Sequence, residues 1–246
     1  MRFNSFKEMR LKLETFKMCG MGSQGICYLD ANNKRVYKVF HEFYDEYEDT
    51  FGNYEAEELL KFKDIKNKTY IFSDEVIYVG DKVVGYVTDY TNSKSLYLIN
   101  PLNVSLDTFI GKIDQVLIDN KILASNSVLT YDVEYNILYG SSGFKIIDQI
   151  DYCYSNLDEN IILKKDNMNF SRGIMYFLID GYFDTFVSKV PILKEMYLSD
   201  VDIKKFLKVF RRVLSEYLDQ DIKKLSDANK CLNKSKYNKK YERGYR

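Results

Sequence analysis

Gly20-Met21-Gly22-Ser23-Gln24-Gly25 carries the spacing G-x-G-x-x-G, and Lys38 follows it in the run Val36-Tyr37-Lys38-Val39-Phe40. Glycines at this spacing let a backbone approach phosphate oxygens, but two architectures use them. In a dinucleotide-binding unit the third glycine opens a helix whose amino end carries the pyrophosphate. In the other the glycines form a hairpin turn over the phosphates, and a strand lysine follows. Here Ile26-Cys27-Tyr28-Leu29 is β-branched and aromatic, Ala31-Asn32-Asn33-Lys34 has turn chemistry, and Arg35 to Phe40 alternates again. That predicts strand, turn and strand, and excludes the dinucleotide unit. No Gly-Lys-Ser/Thr follows, so a Walker loop is excluded as well.

The elements that must hold this turn are legible on both sides of it. Residues 1–11 are a short helix or an extended lead-in, and Leu13 to Cys19 alternates as a first strand. Residues 42–65 are acidic and helical in composition, with Gly52-Asn53 interrupting them before a better helix. In that helix Glu55, Leu59 and Phe62 form one strip and Ala56 and Leu60 the next. Glu75 to Val79 and Val83 to Tyr90, joined by Gly80-Asp81-Lys82, predict a second hairpin, and the polar stretch Thr91 to Ser95 a hinge. Beyond it Leu106, Phe109, Ile110, Ile113 and Leu117 mark a helix over 104–120. Met175 to Val187 reads as a buried aromatic helix. Ser199-Asp200 reads as the cap of a last helix bearing Phe206, Leu207, Phe210, Leu214 and Leu218.

Between these helices runs Thr130-Tyr131-Asp132-Val133-Glu134-Tyr135-Asn136-Ile137-Leu138-Tyr139, then the turn Gly140-Ser141-Ser142-Gly143 and the strand Phe144-Lys145-Ile146-Ile147-Asp148. This segment resembles the catalytic and metal-binding segment of the protein-kinase-like superfamily, which includes Ser/Thr kinases and the aminoglycoside and choline phosphotransferases. The resemblance spans residues 13–155 and keeps the family's order: glycine loop, strand lysine, helix glutamate, hinge, aspartate, asparagine, aspartate. It implies an α+β fold of two lobes. Residues 1–91 would form an antiparallel five-stranded N-lobe with one main helix, 92–228 a mostly helical C-lobe, and 229–246 a frayed basic tail.

The roles that follow are those of phosphoryl transfer, which asks mainly for positioning and neutralised charge. By resemblance Gly20, Gly22, Ser23 and Gly25 cover the phosphates of ATP, Lys38 contacts them, and Glu55 holds Lys38, with Glu57 and Glu58 as rivals. Asp89 and Tyr90, next to the hinge, join the cofactor-binding set. Asn136 and Asp148 coordinate Mg2+ through hard oxygens, with Asp151 competing for the place of Asp148. Asp132 accepts or orients the proton of a hydroxyl on a protein or small-molecule substrate. Four departures stand beside these roles. Thr130 replaces the usual histidine. Asp132 and Asn136 are one residue closer than usual, which lets Tyr131 compete for the base position. Asp148 precedes Gln149 rather than glycine, and no Ala-Pro-Glu follows. They leave three readings open: a divergent protein kinase, a small-molecule kinase, and a pseudokinase that binds nucleotide or a partner. Each residue also has a plain structural reading, since hairpin glycines, strand lysines and turn-capping Asp or Asn are common.

Composition narrows the rest. Lys+Arg and Asp+Glu balance at 36 each, so net charge points to neither nucleic acid nor membrane, apart from the basic tail from Lys230 onward. No apolar run is long enough to span a bilayer and no signal core opens the chain, which makes the cytoplasm the expected location. Cys19, Cys27, Cys153 and Cys231 lie far apart with no C-x-x-C, which argues against zinc and a disulfide framework. Cys19 and Cys27 read as small buried residues flanking the turn.

Overall fold

The computed structural model describes residues 1–41, 54–199 and 202–233, and they divide into two compact units. The first comprises Met1–Lys66, Ile71–Asn92 and the short piece Asp148–Ile150. The second comprises Asn67–Tyr70, Ser93–Ile147 and the chain from Asp151 onward.

The first unit is built on a six-stranded sheet: β1 (Arg2–Phe3), β2 (Lys17–Met21), β3 (Gly25–Asp30), β4 (Arg35–Phe40), β5 (Ser73–Val79) and β6 (Lys82–Asp89), in the order β1-β5-β6-β4-β3-β2. The five antiparallel strands expected are joined by a sixth, because β1 adds to the edge in parallel, pairing Arg2 with Tyr78 and Phe3 with Val79. The first helix, α1 (Phe6–Leu13), takes residues that alternation had assigned to a strand, so β2 starts at Lys17. Ser5 caps it by accepting from Glu8 N–H (3.2 Å), and Met9 and Leu13, one turn apart, are fully buried. An i, i+4 pair under a capping serine outweighs a short alternation.

Period-two alternation gives the sheet two apolar faces. On one, Ile26, Tyr28, Tyr37, Val39, Ile77 and Val87 pack with Met9 and Leu13 of α1. On the other, Phe40, Val76 and Tyr86 pack with Leu59 and Ile150. Leu59 belongs to α2 (Ala56–Leu60), the described part of the expected acidic helix; residues 42–53 lie outside the described chain. Glu55 does not extend this helix. Its backbone is extended (φ −97°, ψ 137°), and it stands at the cap position.

In the second unit the long helices α3 (Leu106–Ser125) and α4 (Glu159–Leu178) pack with α5 (Asp184–Lys189), α6 (Pro191–Leu198) and α7 (Ile203–Leu218). Small sheets join β7 (Lys94–Ser95) to β9 (Ile137–Gly140) and β10 (Gly143–Ile146), and β8 (Val128–Leu129) to β11 (Cys153–Tyr154). The helix expected over Met175 to Val187 is two pieces. Gly181, at φ +80°, turns the chain between α4 and α5. The last helix is capped by Asp202, which accepts from Lys205 N–H (3.0 Å), rather than by the Ser199-Asp200 pair; Asp200 lies outside the described residues. The basic tail from residue 234 does too.

Asn67–Tyr70 belongs to this unit through buried polar bonds to α3. Asp119 accepts from Thr69 Oγ1 (2.6 Å) and Lys68 N–H (3.1 Å), and Asn120 accepts from the Tyr70 hydroxyl (2.7 Å). Asp119 and Asn120 are buried, so these partners supply the bonds that burial requires.

Candidate active site

Strand β4 presents Lys38 on the same sheet face as its register partners Cys27 of β3 and Tyr86 of β6. The lysine is buried, and its ammonium donates to Asp148 Oδ1 at 2.6 Å and to Gln24 Oε1 at 3.1 Å. Tyr86 completes the group: its hydroxyl donates to the same Asp148 oxygen (3.2 Å), and its ring centroid lies 5.6 Å from the ammonium. Residues 110 apart in sequence thus form an ion pair in a largely dry setting, with a buried charge matched by an opposite one. Burial pushes the neighbouring Cys27 thiol up to about 12, although Lys38 pulls the other way; the thiol stays protonated.

Asp148 takes this place through an unusual backbone. At φ +68° it is in the left-handed region, which residues other than glycine seldom enter. The next residue holds it there. Gln149 is buried, donates to the Leu59 carbonyl (2.5 Å) and to Ser73 Oγ (2.6 Å), and accepts from Ser73 N–H (3.0 Å). These three bonds fasten Asp148–Ile150 to α2 and β5, which is why the piece belongs to the first unit. Beside them Tyr54, Glu55, Glu58, Leu59, Gln149 and Ile150 line a cavity of about 280 Å³.

The glycine turn connects β2 to β3. Gly22 N–H donates to the Gly25 carbonyl (3.0 Å), and His41 pins the turn from beside it, with N–H to the Gln24 carbonyl (3.1 Å) and Nε2 2.7 Å from the Gly22 carbonyl. Gly22 and Ser23 are exposed, whereas Gly25 is buried. A Cβ on Gly25 would lie 2.3 Å from the Val39 carbonyl oxygen, so this glycine lets β3 approach β4 next to Lys38. Gly85 does the same from β6, where a Cβ would lie 2.1 Å from the Lys38 carbonyl oxygen. Cys19 is exposed rather than buried, since all five residues of the edge strand β2 face solvent, and its thiol donates to the Cys27 carbonyl (3.5 Å).

Other expected residues stand elsewhere. Among the described residues the hydrogen-bond partners of Lys38 are Gln24 and Asp148, and no bond joins it to Glu55, Glu57 or Glu58. The Asp89 carboxylate accepts from Arg35 (2.7 Å), which also binds Asp74; by strand parity this pair is on the face opposite Lys38. Tyr90 N–H donates to the Lys34 carbonyl (2.8 Å).

Asp132 and Asn136 belong to the second unit. Asp132 is exposed with φ +51°, and its carbonyl accepts from the Asn136 side-chain amide (3.0 Å). The Asn136 carbonyl in turn accepts from Ile147 N–H (3.2 Å), which ties this turn to the end of the segment that leads into Asp148. Thr130, the departure from the family's histidine, is fully buried and donates through both N–H (2.9 Å) and Oγ1 (2.7 Å) to Asp166 Oδ1 on α4. Burial pushes the Asp166 carboxyl up to about 7 against the downward pull of both bonds. Its second oxygen is buried with no hydrogen bond among the described residues. Tyr131 is exposed like Asp132. Asp151 is exposed in the second unit, whereas Asp148 stands with Lys38 in the first.

The donors fit the groups that phosphoryl transfer uses. Lys38 is a buried cation beside a glycine turn. Lys38 and Tyr86 both engage Asp148 Oδ1, and among the described residues Asp148 Oδ2 accepts no hydrogen bond, which leaves it as a hard oxygen. Among the described residues no three His, Cys, Asp or Glu side chains form a metal cluster. Magnesium commonly takes only one or two protein carboxylates and completes its shell with phosphate and water, so such a cluster is not required.

No protein-family model matches the chain. No curated protein sequence matches it either. Among solved structures, the CAK complex from Chaetomium thermophilum bound to ATP-γ-S has a chain similar to this one, with 17% identity and a TM-score of 0.45. The likeness covers 61% of this chain and 52% of that one, so the present chain spans about half the length of its neighbour. Among the described residues, no helix is long and apolar enough to cross a membrane.

Gln149, Tyr86, His41, Gly85 and Asp166 were not singled out from sequence. Each acts through a partner far along the chain, as Gln149 does through Leu59 and Ser73. A spacing motif records none of these pairs. The strict register Cys27–Lys38–Tyr86 was in principle accessible, once the order of strands was known.

Proposed function

We propose that the chain is an ATP-dependent phosphotransferase that delivers the γ-phosphoryl group to a hydroxyl acceptor, as a divergent protein kinase. The observation that carries this reading is the pairing of buried Lys38 with half-buried Asp148 at 2.6 Å beside the glycine turn. A buried cation and a half-buried carboxylate brought together across so much sequence suit a site whose work is to hold phosphate and metal. Bound ATP supplies the phosphoryl group, and magnesium neutralises its oxygens. Lys38 would bind its phosphate oxygens, and the backbone of the turn Gly22–Gly25 would approach them. By the family resemblance Asp148 and Asn136 would hold the metal, and Asp132 would take or orient the hydroxyl proton.

A pseudokinase is the second reading. It draws support from Lys38, which has no carboxylate partner on α2, and from Thr130, which faces Asp166 instead of supplying an imidazole. One set of experiments separates the two. Under the first reading ATP with magnesium raises the melting temperature and is turned over, and Lys38→Ala and Asp148→Asn each cut turnover about a hundredfold or more. A thermal shift with no transfer to any acceptor selects the second. No shift at all rejects both.

A further inference from the structure

The balance of 36 basic and 36 acidic residues conceals a separation of charge along the chain. Residues 203–246 carry fourteen Lys and Arg against five Asp and Glu, whereas residues 1–202 carry twenty-two against thirty-one. The basic excess begins on α7, where Lys204, Lys208, Arg211, Arg212 and Ser215 recur at helical spacing along one side. That side meets α3 within the second unit. Lys204 pairs with Asp114 and Arg211 with Asp107, so the two helices run antiparallel over two turns, about 10 Å. Between them is a cleft of about 570 Å³, which the four cations and Ser215 line from α7, and Asp107, Ile110 and Gly111 from α3.

Carboxylates surround these cations as well. Besides Asp114 and Asp107, Asp221 holds Arg211 at 3.0 Å and Glu216 stands 3.9 Å from Arg212. All four carboxylate side chains are more than half exposed, so their ion pairs are weak and yield readily to a phosphate. Of the four only Asp107 lines the cleft. Lys208 is exposed and makes no ion pair among the described residues. Gly111 is the second sign of a binding site. A glycine inside the twenty-residue helix α3 costs helix stability, yet a Cβ there would meet nothing within 4 Å, so packing does not require it. Its missing side chain leaves the cleft open.

We propose that this cleft binds single-stranded RNA, with phosphates at Lys204, Lys208, Arg211 and Arg212 and unpaired bases on the tyrosines that follow. Residues 234–246, outside the described chain, carry by sequence six Lys and Arg, one Glu, and Tyr237, Tyr241 and Tyr245 at intervals of four. They continue from Asn233, which is held in the same unit by its N–H to the Tyr182 carbonyl (2.7 Å). Cations interleaved with aromatic rings suit a chain of phosphates bearing stackable bases, whereas an acidic peptide would leave the tyrosines idle. A bilayer does not fit. The apolar residues Phe206, Leu207, Phe210 and Leu214 of α7 are buried, and residues 234–246 contain no Leu, Ile, Val, Phe or Trp to insert. Asp107 favours RNA over DNA, because a carboxylate in the cleft accepts from a 2′-hydroxyl and otherwise only repels phosphate. None of this rests on the phosphotransferase reading.

The test is fluorescence anisotropy of the full chain with a labelled uridylate of about ten nucleotides, without ATP, over a range of salt concentrations. The RNA binds, and the logarithm of its association constant falls linearly with that of the salt concentration. Lys208→Gln and Arg212→Gln each weaken binding about three- to tenfold and make that slope shallower by about 0.7. Gly111→Glu puts a carboxylate into the open space and weakens binding about tenfold or more, while its melting curve shows the fold intact. Replacing Tyr237 and Tyr241 together by Ala weakens binding about fivefold or more and leaves the slope unchanged. The matching deoxythymidylate binds about fivefold more weakly, and neither oligoglutamate nor phosphatidylserine vesicles displace the RNA. Absence of RNA binding overturns the proposal, as does binding that Gly111→Glu and Lys208→Gln leave unchanged. Displacement by oligoglutamate or vesicles overturns it in favour of charge alone, and equal affinity for the DNA overturns the assignment to RNA. Lys38→Ala binds RNA as the unmodified chain does, whether or not ATP is turned over, so the two readings fail separately.

Discussion

Asp166 shows how one residue can couple the candidate catalytic segment to pH. In the unfolded chain its carboxyl ionises near 3.8, whereas in the folded protein it does so only at about 7. Between those values the unfolded chain has released a proton that the folded chain keeps, so raising the pH through this window favours unfolding. Below the window both states are protonated and above it both are ionised, and the contribution is flat. The size is a few kcal/mol at most. Asp166→Asn removes the titration while keeping an oxygen to accept from Thr130. Urea unfolding at pH 5 and pH 8 therefore shows the unmodified chain losing more stability with rising pH than the variant. Parallel losses in the two proteins would mean that Asp166 does not carry the effect. Nothing in the sequence marks this aspartate. It is one charge in the run Lys164-Lys165-Asp166-Asn167, which reads as a solvated helix face, and only its bonds to Thr130 reveal it as buried.

Strands β3, β4 and β6 set the position of Lys38 more directly than the glycine turn does. Both neighbours give up a side chain to β4, Gly25 against the Val39 carbonyl and Gly85 against the Lys38 carbonyl, whereas Gly22 has open space around it. The three glycines of G-x-G-x-x-G are therefore not equivalent. Gly25→Ala drives a Cβ into backbone that cannot yield without opening the sheet, at a cost of about 1–3 kcal/mol. Gly22→Ala leaves stability within about 0.5 kcal/mol. Melting curves of the two variants check this, and equal destabilisation would refute the division of roles. At this scale the hairpins, the helix expected over 104–120 and found at Leu106–Ser125, and the amphipathic stripe of α7 were legible because periodicity reports which face is buried. The breaks were not. Gly181 divides an apolar run whose composition is continuous, and Glu55 caps a helix that it was expected to extend. The capping serine and the i, i+4 pair of α1 were present in the sequence, but a short alternation over 13–19 competed with them.

Across the whole chain the units are not consecutive stretches, and the partner of Lys38 depends on that. The first unit takes Asp148–Ile150 from far along the sequence, and the second takes Asn67–Tyr70. The short piece brings the carboxylate that balances Lys38, the three hydrogen bonds of Gln149, and Ile150 against the apolar face of Phe40 and Tyr86. A boundary drawn at residue 91 from the polar stretch Thr91 to Ser95 cannot anticipate this, since three residues leave no compositional trace. The consequence is testable with a fragment of residues 1–92. It retains every strand of the six-stranded sheet and the glycine turn, yet of the two hydrogen-bond partners of Lys38 among the described residues it keeps only Gln24, and the face that Gln149 and Ile150 cover is opened to water. Its melting midpoint falls by several degrees below that of the full chain, because for a domain of this size each 1 kcal/mol lost lowers the midpoint by roughly 4–8 °C. ATP with magnesium gives no thermal shift, because the fragment lacks both Asp148 and Asn136. A fragment that melts with the full chain and still responds to ATP would show that the glycine turn and Lys38 suffice, and that the distant carboxylate is dispensable.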